Sequence, residues 1–418
     1  MLKNYLKVAL KVLGRRRFFT FISLFGISIT LLVLMVATAI LDHALAPHAP
    51  ETRGARTLGV YHLAMQGPEV IESVEPGYGF LDRYVRPMAA LPGVERVALV
   101  TTAEAVSSYP EGRKVESQLR RADGEFWQIL DFHFLEGGPF TAEDERNANF
   151  VAVISESTRA RFFGGRPALG RTIEADGQRF RVVGVVPDVP VLRFTTTADL
   201  WVPISTAKSS NYKEKWMGEF HALILARSPA DFPAIKADFQ ARLREAERHL
   251  PDPRTFKTLR ASADTMFEAA AHRFTPGDST LVDAGRVRAA LFLLMLLFML
   301  LPALNLVNIN LSRILDRSSE IGVRKAFGAS SRILVGQFVV ENVVLTLIGA
   351  VLSLVLSALV LRGVNASGLI QYAHLELNYR IFLYGLAIAL FFGVLSGVYP
   401  AWRMSKLHPV QALRGRQV

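Results

Sequence analysis

The sequence predicts an α-helical membrane protein with four transmembrane helices and a large extracytoplasmic α+β domain of two subdomains inserted between helices 1 and 2. The first observation is that half of the 418 residues are hydrophobic and concentrate in blocks long enough to span a bilayer. The second is a long polar stretch of ordinary globular composition between the first two blocks. The third is that Lys and Arg cluster beside alternate ends of these blocks.

These observations set the boundaries of the predicted elements. In chain order we expect a cytoplasmic amphipathic N-terminal helix (1–17), transmembrane helix 1 (18–42), the extracytoplasmic domain (43–285), transmembrane helix 2 (286–311), a cytoplasmic helical segment (312–332), transmembrane helix 3 (333–361), a short extracytoplasmic loop (362–380), transmembrane helix 4 (381–402) and a cytoplasmic tail (403–418).

Basic residues predict the orientation, because Lys and Arg next to a membrane are retained on its cytoplasmic side. Basic clusters precede the first block, lie between the second and third, and follow the fourth, whereas the remaining loop has only Arg362 and Arg380 at its ends. Both termini are therefore expected in the cytoplasm. A cleaved signal peptide is the alternative for the first block, but Phe18 to Leu41 exceeds the roughly 7 to 15 apolar residues of such a peptide.

The first 14 residues place Lys3, Lys7 and Lys11 at four-residue spacing with leucines between them. This pattern predicts an amphipathic helix at the membrane surface that leads into the first span. A basic retention signal without a particular contact is a second interpretation, compatible with the first.

Strand-like and helix-like runs alternate in the extracytoplasmic domain without a repeating strand–helix unit, which predicts an α+β fold. The predicted strands are Thr57 to Ala64, Val94 to Thr101, Val115 to Arg121, Phe150 to Ile154, Arg179 to Val186, Leu200 to Pro203 and His221 to Arg227. The predicted helices are Phe80 to Leu91, Gly124 to Leu130, Glu156 to Phe163 and Asp231 to His249, and Asp264 to Val287 is expected to return as a stalk.

Composition excludes several function classes. The chain contains no cysteine, so thiol chemistry and Cys-ligated zinc are excluded. The net charge of +11 is explained by the orientation of the spans, and no nucleic-acid motif accompanies it, so membrane lipid is the expected partner of these charges rather than nucleic acid. The predicted spans nearly lack ionisable residues, which disfavours a channel or a secondary transporter. We expect no cofactor, no metal and no catalytic residue.

The segment Gly165 to Thr172 has the outline of a nucleotide-binding P-loop, but its chemistry is wrong. Arg171 replaces the phosphate-binding Lys, and Pro167 removes one of the backbone N–H donors. The segment also lies on the predicted side without cytosolic ATP. Any ATPase is therefore expected to be a separate polypeptide.

Small residues recur at four-residue spacing in the third and fourth predicted spans. They are Gly349, Ser353 and Ser357 in the third, and Gly385, Ala389 and Gly393 in the fourth. This spacing permits close helix packing, either within the chain or across a dimer.

A charged amphipathic segment, Ser319 to Ser330, lies between the second and third apolar blocks. A helix in that position would be held at the cytoplasmic surface, where a soluble partner has access to it. A basic loop that only fixes orientation is the alternative interpretation.

Two motifs carry a resemblance to a known family over essentially the whole chain. Ser319 to Ser330 followed by Gln337 to Glu341 is similar to the signature segment of the MacB/FtsX-type permease subunits of ABC transporters. Tyr399 to Arg403 with Leu407 to Arg414 is similar to the family's closing pattern. The chain departs from the family in Phe327, where Leu is usual, and near the C-terminus at Arg403 and Met404.

The extracytoplasmic domain also resembles the periplasmic core domain of the MacB branch. The similar segments are Ala122 to Trp127, Gly137 to Phe140, Val153 to Ser155, Leu169 to Thr172 and Phe180 to Val186. The resemblance assigns the P-loop-like segment to a structural turn between a helix and a strand. The family's domain has two α+β lobes, in line with the alternation of strands and helices in this segment.

The resemblance implies a non-catalytic permease subunit of the bacterial inner membrane that works with a cytoplasmic ABC ATPase dimer and a second permease subunit, identical or homologous. A coupling helix would transmit ATP-driven movement to the periplasmic domain, and so drive efflux or extracytoplasmic substrate movement. Its ATPase-coupling residues would be Glu320, Ile321, Gly322, Arg324, Lys325, Phe327 and Gly328. The substrate, the identity of the ATPase, the type of dimer, and the involvement of a periplasmic adaptor and an outer-membrane channel are left open.

An FtsX-like membrane scaffold that activates a periplasmic cell-wall hydrolase is the alternative function. The large predicted domain favours the MacB branch, because FtsX-like outer domains are usually smaller.

Overall fold

The computed structural model describes residues 2–15, 17–109, 112–273, 285–297, 300, 323, 331–369, 372 and 375–405. The chain forms two compact units. We call Met1–Asp42, Arg288–Leu369 and His374–Val418 the helical unit, and His43–Val287 with Ile370–Ala373 the α+β unit. A large α+β domain between helices at both ends of the chain agrees with the predicted fold class at this level.

The described helices are labelled in chain order. They are α1 (Leu2–Arg15), α2 (Arg17–Leu45), α3 (Tyr78–Phe80), α4 (Phe126–Ile129), α5 (Ala142–Arg146), α6 (Glu156–Phe163), α7 (Phe232–Glu247), α8 (Met266–Arg273), α9 (Ser331–Ser367) and α10 (Tyr379–Ser405). Residues 285–297 are also helical.

Two of the described helices are long and apolar enough to cross a membrane. These stretches are Arg17–Ala44 in α2 and Val335–Ser367 in α9, of 28 and 33 residues. α10 contains a shorter apolar stretch, Tyr379–Leu395. Half of the predicted second span lies outside the described residues, so the prediction of four spans stays a prediction.

α1 has one buried and one exposed face, as its spacing of Lys and Leu predicts. Ala9 and Leu13 are buried, whereas Lys7 and Lys11 are exposed. Leu13 belongs to the apolar cluster of the helical unit, which also contains Ile27 and Leu31 of α2. The hydroxyl of Thr20 donates to the Leu13 carbonyl at 3.0 Å across the junction of α1 and α2.

The described strands all belong to the α+β unit. They are β1 (Thr57–Val60), β2 (Leu63–Gln66), β3 (Ile71–Pro76), β4 (Val94–Thr101), β5 (Glu104–Ser108), β6 (Val115–Ala122), β7 (Glu136–Gly137), β8 (Val151–Ser155), β9 (Thr172–Ala175), β10 (Gln178–Val186), β11 (Leu200–Pro203), β12 (Met217–Gly218), β13 (Phe220–Ala226) and β14 (Thr258–Ala261).

The strands form a ten-stranded and a four-stranded sheet. The larger has the order β1-β13-β4-β6-β11-β8-β10-β7, with β5 on β6 and β9 on β10, and the smaller has the order β12-β3-β2-β14. Within the larger sheet β8 with β10 and β6 with β11 are parallel pairs. β4 and β6 are joined through the register pair Val100 and Ala122 alone. The sheet is therefore narrowest between β4 and β6.

Separate apolar cores lie on the two sides of that narrow point. One core combines β1, β4 and β13 with the small sheet and the α7 residues Ile235, Phe239 and Leu243. Another fills one face of β8, β10 and β11 around Phe180. The fully buried Trp201 lies in a third cluster, which spans both parts of the large sheet.

Two predicted elements differ from the structure. The predicted strand Thr57 to Ala64 is two strands, because β1 pairs with β13 in the large sheet whereas β2 pairs with β3 and β14 in the small one. The predicted helix Phe80 to Leu91 is a series of short turns, with α3 followed by π-helical Leu81–Val85 and 3-10 helical Arg86–Ala90. Pro87 lacks the N–H that would continue the α-helical ladder.

Candidate functional site

The predicted coupling residues Glu320, Ile321, Gly322, Arg324, Lys325, Phe327 and Gly328 lie outside the described residues. Val323, in the same segment, is helical and 45% exposed. The structure does describe α9, which begins at Ser331 immediately after this segment. Two described parts of the chain are therefore considered for the candidate site. One is the set of contacts that α9 makes with α2 and α10, and the other is the set of buried or paired polar side chains of the α+β unit.

α2 and α9 approach each other closely at Gly349. The hydroxyl of Ser28 donates to the Gly349 carbonyl at 3.0 Å. A Cβ atom at Gly349 would lie only 2.8 Å from Cγ2 of Ile27, so the contact requires glycine. Backbone contact of this kind is typical of helices packed through small residues in membranes.

α10 packs against both α9 and α2 through two further glycines. Nδ2 of the buried Asn342 donates to the Gly393 carbonyl at 3.2 Å, and a Cβ at Gly393 would meet Oγ1 of Thr346 at 2.8 Å. A Cβ at Gly385 would meet side-chain atoms of Leu34 and Leu31 at 3.1 and 3.2 Å. The small residues at these positions thus pack helices of one chain against each other.

The first turns of α9 carry buried polar side chains. Gln337 and Glu341 are 9% and 4% exposed, and Nε2 of Gln337 donates to Oε1 of Glu341 at 3.1 Å. Asn342 is the next residue and makes the hydrogen bond to α10. The part of α9 that follows the predicted coupling segment is therefore bonded to a neighbouring helix.

The P-loop-like segment is a turn between α6 and β9, as the resemblance implied. Its backbone N–H at Ala168 donates to Oε2 of Glu136 at 3.0 Å, so a carboxylate of the same domain occupies the position that an anion would take. Oε1 of Glu136 accepts from Arg159 at 2.7 Å. Hydrogen bonds from Arg159 and from Ala168 lower the pKa of Glu136, although partial burial opposes them. The turn is structural.

α8 is the first part of the predicted return stalk, Asp264 to Val287, and is held by two polar pairs; residues 274–284 of that stalk lie outside the described residues. Nζ of Lys236 on α7 donates to Glu268 at 2.7 and 2.8 Å. Nδ1 of His272 lies 3.1 Å from Oδ2 of Asp264, and both side chains are buried. Burial raises the pKa of Asp264, and hydrogen bonding from Ser262 with the nearby His272 opposes that rise. These contacts fix α8 on the domain.

Two carboxyl groups lie near the narrow part of the large sheet, the buried Asp123 and the partly buried Glu145. Burial raises the pKa of Asp123 to about 6, against the opposing charge of Arg86 at 3.3 Å. Burial also raises the pKa of Glu145 to about 7, where the N–H of Ser205 opposes the shift and the charge of Asp123 adds to it. The domain therefore contains carboxyl groups that gain a proton near neutral pH.

Within the described ranges, His, Asp and Glu side chains form no group of three that would hold a metal ion.

The α+β unit contains a deeply buried ion pair, Arg193 with Glu51, that was not predicted from the sequence. A signal was present, because Arg193 interrupts the apolar run Val189 to Phe194. A charge in such a run is buried only when it is paired.

The chain matches two protein families in succession. Residues 20–242 match the MacB-like periplasmic core domain, and residues 292–409 match the FtsX-like permease C-terminal domain. The first match alone spans more than half of the 418 residues. The second includes the predicted coupling segment.

Individual relatives show the same likeness. The uncharacterized ABC transporter permease YknZ of Bacillus subtilis is 23% identical over 341 residues, which cover 80% of this chain and 79% of YknZ. The macrolide export ATP-binding/permease protein MacB of Wolinella succinogenes is 23% identical over an alignment of 426 positions, which covers 98% of this chain but 60% of MacB. This chain therefore spans less than two thirds of that MacB.

The crystal structure of the periplasmic region of MacB from Actinobacillus actinomycetemcomitans aligns with 54% of this chain and 95% of that region, at 16% identity and a TM-score of 0.36. Family membership rests on the two domain matches. Members of this family are membrane permeases with periplasmic domains. The chain belongs to the MacB/FtsX-type family of ABC transporter permeases and has the large periplasmic α+β domain of the MacB type.

Proposed function

We propose that the chain is the non-catalytic permease subunit of a MacB-like ABC transporter. It transmits ATP-driven movement of a separate ATPase through the coupling helix to the periplasmic domain, and so drives efflux or extracytoplasmic substrate movement. In this proposal the chain crosses the bacterial inner membrane four times with both termini in the cytoplasm. Segment 43–285 is the two-lobed periplasmic domain, and 312–332 carries the coupling helix.

The observation that carries the proposal is the direct packing of α2, α9 and α10. Gly349 lets side chains of α2 approach the backbone of α9, and Gly393 lets side chains of α9 approach the backbone of α10. A displacement at the start of α9 would therefore move all three helices, because closely packed helices do not deform independently. The polar side chains at these contacts, Ser28 and Asn342, donate to backbone carbonyls. This arrangement supports transmission of movement rather than a polar path.

The coupling helix would dock into a groove of the ATPase. Glu320, Arg324 and Lys325 would set the register through charge pairs, while Ile321 and Phe327 would supply buried apolar area. Gly322 and Gly328 would allow close approach of the backbone and a sharp exit into α9. The partners in this proposal are an ATPase dimer and a second permease subunit, and a periplasmic adaptor stays an open component.

The test compares two charge reversals in the full chain. We expect Glu320→Lys to weaken co-purification with the ATPase and to reduce stimulated ATP hydrolysis. Glu376→Lys is the matched control, because Glu376 is exposed and lies in the predicted extracytoplasmic loop. Unchanged association and unchanged stimulation with Glu320→Lys would contradict the proposed coupling site.

The match of residues 292–409 to the FtsX-like permease domain supports a second candidate, a scaffold that activates a periplasmic cell-wall hydrolase. In that case the full chain with its ATPase should bind a purified cell-wall hydrolase and stimulate its activity when ATP is added. No binding and no stimulation would leave the transport function as the better proposal.

A further inference from the structure

We infer that Arg193 and Glu51 anchor the end of α2 to the large sheet of the periplasmic domain and act as positioning residues in force transmission. The inference rests on the proposed function, in which movement of the membrane helices must reach the domain. α2 ends at Leu45, and its last residues, from His43 onward, belong to the α+β unit. The anchor lies entirely within that unit.

Arg193 binds the C-terminal end of α2 directly. Its Nη2 donates to the carbonyl of His43 at 2.9 Å and to that of Ala46 at 3.0 Å. The last carbonyls of a helix have no intrahelical donor, and a cation at that end also interacts favourably with the helix dipole. The guanidinium group is suited to this position because it presents several N–H donors in a fixed plane.

Glu51 holds the other side of the same guanidinium. Its Oε2 accepts from Nη1 of Arg193 at 2.8 Å, and its Oε1 accepts from the hydroxyl groups of Thr195 and of Thr196, the latter at 2.8 Å. Arg193 is 2% exposed and Glu51 is 7% exposed. Both charges are therefore paired and hydrogen-bonded, as buried charges require.

A second buried arginine connects this segment to the large sheet. Arg120 belongs to β6 and is 2% exposed. Its guanidinium donates to the Thr197 carbonyl at 2.8 Å, to the Phe194 carbonyl, and to the Thr101 carbonyl on β4 at 2.6 Å. Hydrogen bonds thus continue from the end of α2 through Arg193 and the segment 193–197 to both β4 and β6.

The chemistry of the pair indicates positioning rather than stability alone. A buried ion pair contributes little net stability compared with apolar residues of similar volume, because desolvation offsets the attraction. Its directional hydrogen bonds do fix relative orientation. The bonds also end at β4 and β6, the two strands that meet at the narrow part of the sheet. Movement of α2 would be delivered where the two parts of the sheet join.

The first experiment measures the anchor without the ATPase. Because the chain has no cysteine, spin labels can be placed at Ala44→Cys in the last turn of α2 and at Glu174→Cys on β9 in the full chain in lipid nanodiscs. Both positions belong to the α+β unit and neither is buried. We expect one narrow distance population by electron–electron double resonance with Arg193 present. Arg193→Met should lose that population and give a broad distribution. A narrow distribution in Arg193→Met would overturn the inference.

Two further variants separate anchoring from general destabilisation. Arg121→Met is the matched control, since Arg121 is 9% exposed and its side chain pairs with Glu104 and Asp176 instead of the end of α2. It should lower the thermal stability of the domain and keep the narrow distribution. Arg193→Lys should keep the charge pair with Glu51 and still broaden the distribution, because an ammonium group lacks the planar fork. Equal broadening in Arg121→Met would refute a specific anchor.

The second experiment adds the ATPase and a non-hydrolysable ATP analogue, with Glu174→Cys labels on the two permease subunits. The proposed function predicts a nucleotide-dependent distance change with Arg193 present, and its absence would contradict that function. The inference predicts that Arg193→Met abolishes the change while the ATPase still co-purifies. A full distance change in Arg193→Met would overturn the anchor and leave the proposed function intact.

Discussion

The close contact of α2 with α9 at Gly349 gives the most specific stability prediction. Replacing Gly349 by Ala places a Cβ 2.8 Å from Cγ2 of Ile27, inside the roughly 3.5 to 4.0 Å at which two carbon atoms pack best. α2 and α9 must then separate by about 0.7 to 1.2 Å to restore that spacing. The same separation stretches the hydrogen bond from Ser28 to the Gly349 carbonyl, now 3.0 Å long.

The expected loss of stability in Gly349→Ala has two contributions. Overpacking of a close contact costs about 1 to 3 kcal/mol. Weakening an interhelical hydrogen bond in a membrane protein costs about 0.6 kcal/mol on average and about 1.7 kcal/mol at most. Alanine also gains helix propensity over glycine, and a control on the same helix removes that contribution. Gly363→Ala serves as this control because a Cβ there would meet nothing within 4 Å.

The assay is unfolding of the full chain in mixed micelles by SDS, followed by far-UV circular dichroism. We expect Gly349→Ala to be about 2 to 4 kcal/mol less stable than Gly363→Ala. Equal stability of the two variants would refute the close contact of α2 with α9, and with it the packing that supports the proposed transmission.

Two further predictions concern the periplasmic domain. The pKa of Glu145 is raised from an ordinary 4.5 to about 7, so the folded state binds this proton more tightly than the unfolded state does. The stability that Glu145 contributes in this way is fully present below pH 4.5 and is lost as the pH rises through 7. Glu145→Gln should therefore flatten the fall in melting temperature between about pH 5 and 8, and an unchanged slope would contradict the burial argument. Gly137 has φ of 65°, and a Cβ there would overlap the Val183 carbonyl oxygen, so Gly137→Ala should cost at least about 2 kcal/mol in a chemical denaturation series. Gly138→Ala, with open space around it, should cost less than about 1 kcal/mol, and similar losses in both would refute the contact.

Local patterns predicted the longer strands β4, β6, β10 and β13 and the helices α6 and α7, whereas β3, β5, β7, β9, β12, β14 and α5 were not predicted. The strands Val94–Thr101 and Leu200–Pro203 and the helix Glu156–Phe163 have the predicted bounds. The strands are marked by apolar runs, whereas the helix is polar and is marked by the residues at its two ends. Ser155 caps the start of that helix and Gly164 ends it in the left-handed conformation. Where neighbouring residues alone determine an element, its bounds can be predicted from the sequence.

The differences arise where distant contacts decide the structure. The break between β1 and β2 depends on which strands each one pairs with, and the local sequence does not contain that information. β3 was missed because Ile71, Glu72 and Val74 are all exposed, so no alternation of buried and exposed residues marks the strand. The ion pair of Arg193 and Glu51 joins residues 142 apart, and only the fold brings them together.

The candidate site, too, was predicted from the sequence only in part. The family signature predicts the coupling segment residue by residue, and its seven named positions stay predictions because they lie outside the described residues. The glycines at the helix contacts were identified from their spacing, whereas the partner of each glycine required the structure. Ile27 opposite Gly349 is an example, since nothing in the sequence relates these two positions.

The most direct test of the proposed transmission is the ATP-dependent distance between the periplasmic domains of two permease subunits, measured in lipid nanodiscs with the ATPase bound. We expect a clear change in that distance on ATP binding in the unaltered chain. We also expect Phe327→Ser in the coupling helix to abolish this change, because the apolar contact with the ATPase is removed. A distance that does not respond to ATP, or a full response in Phe327→Ser, would contradict the proposed transmission.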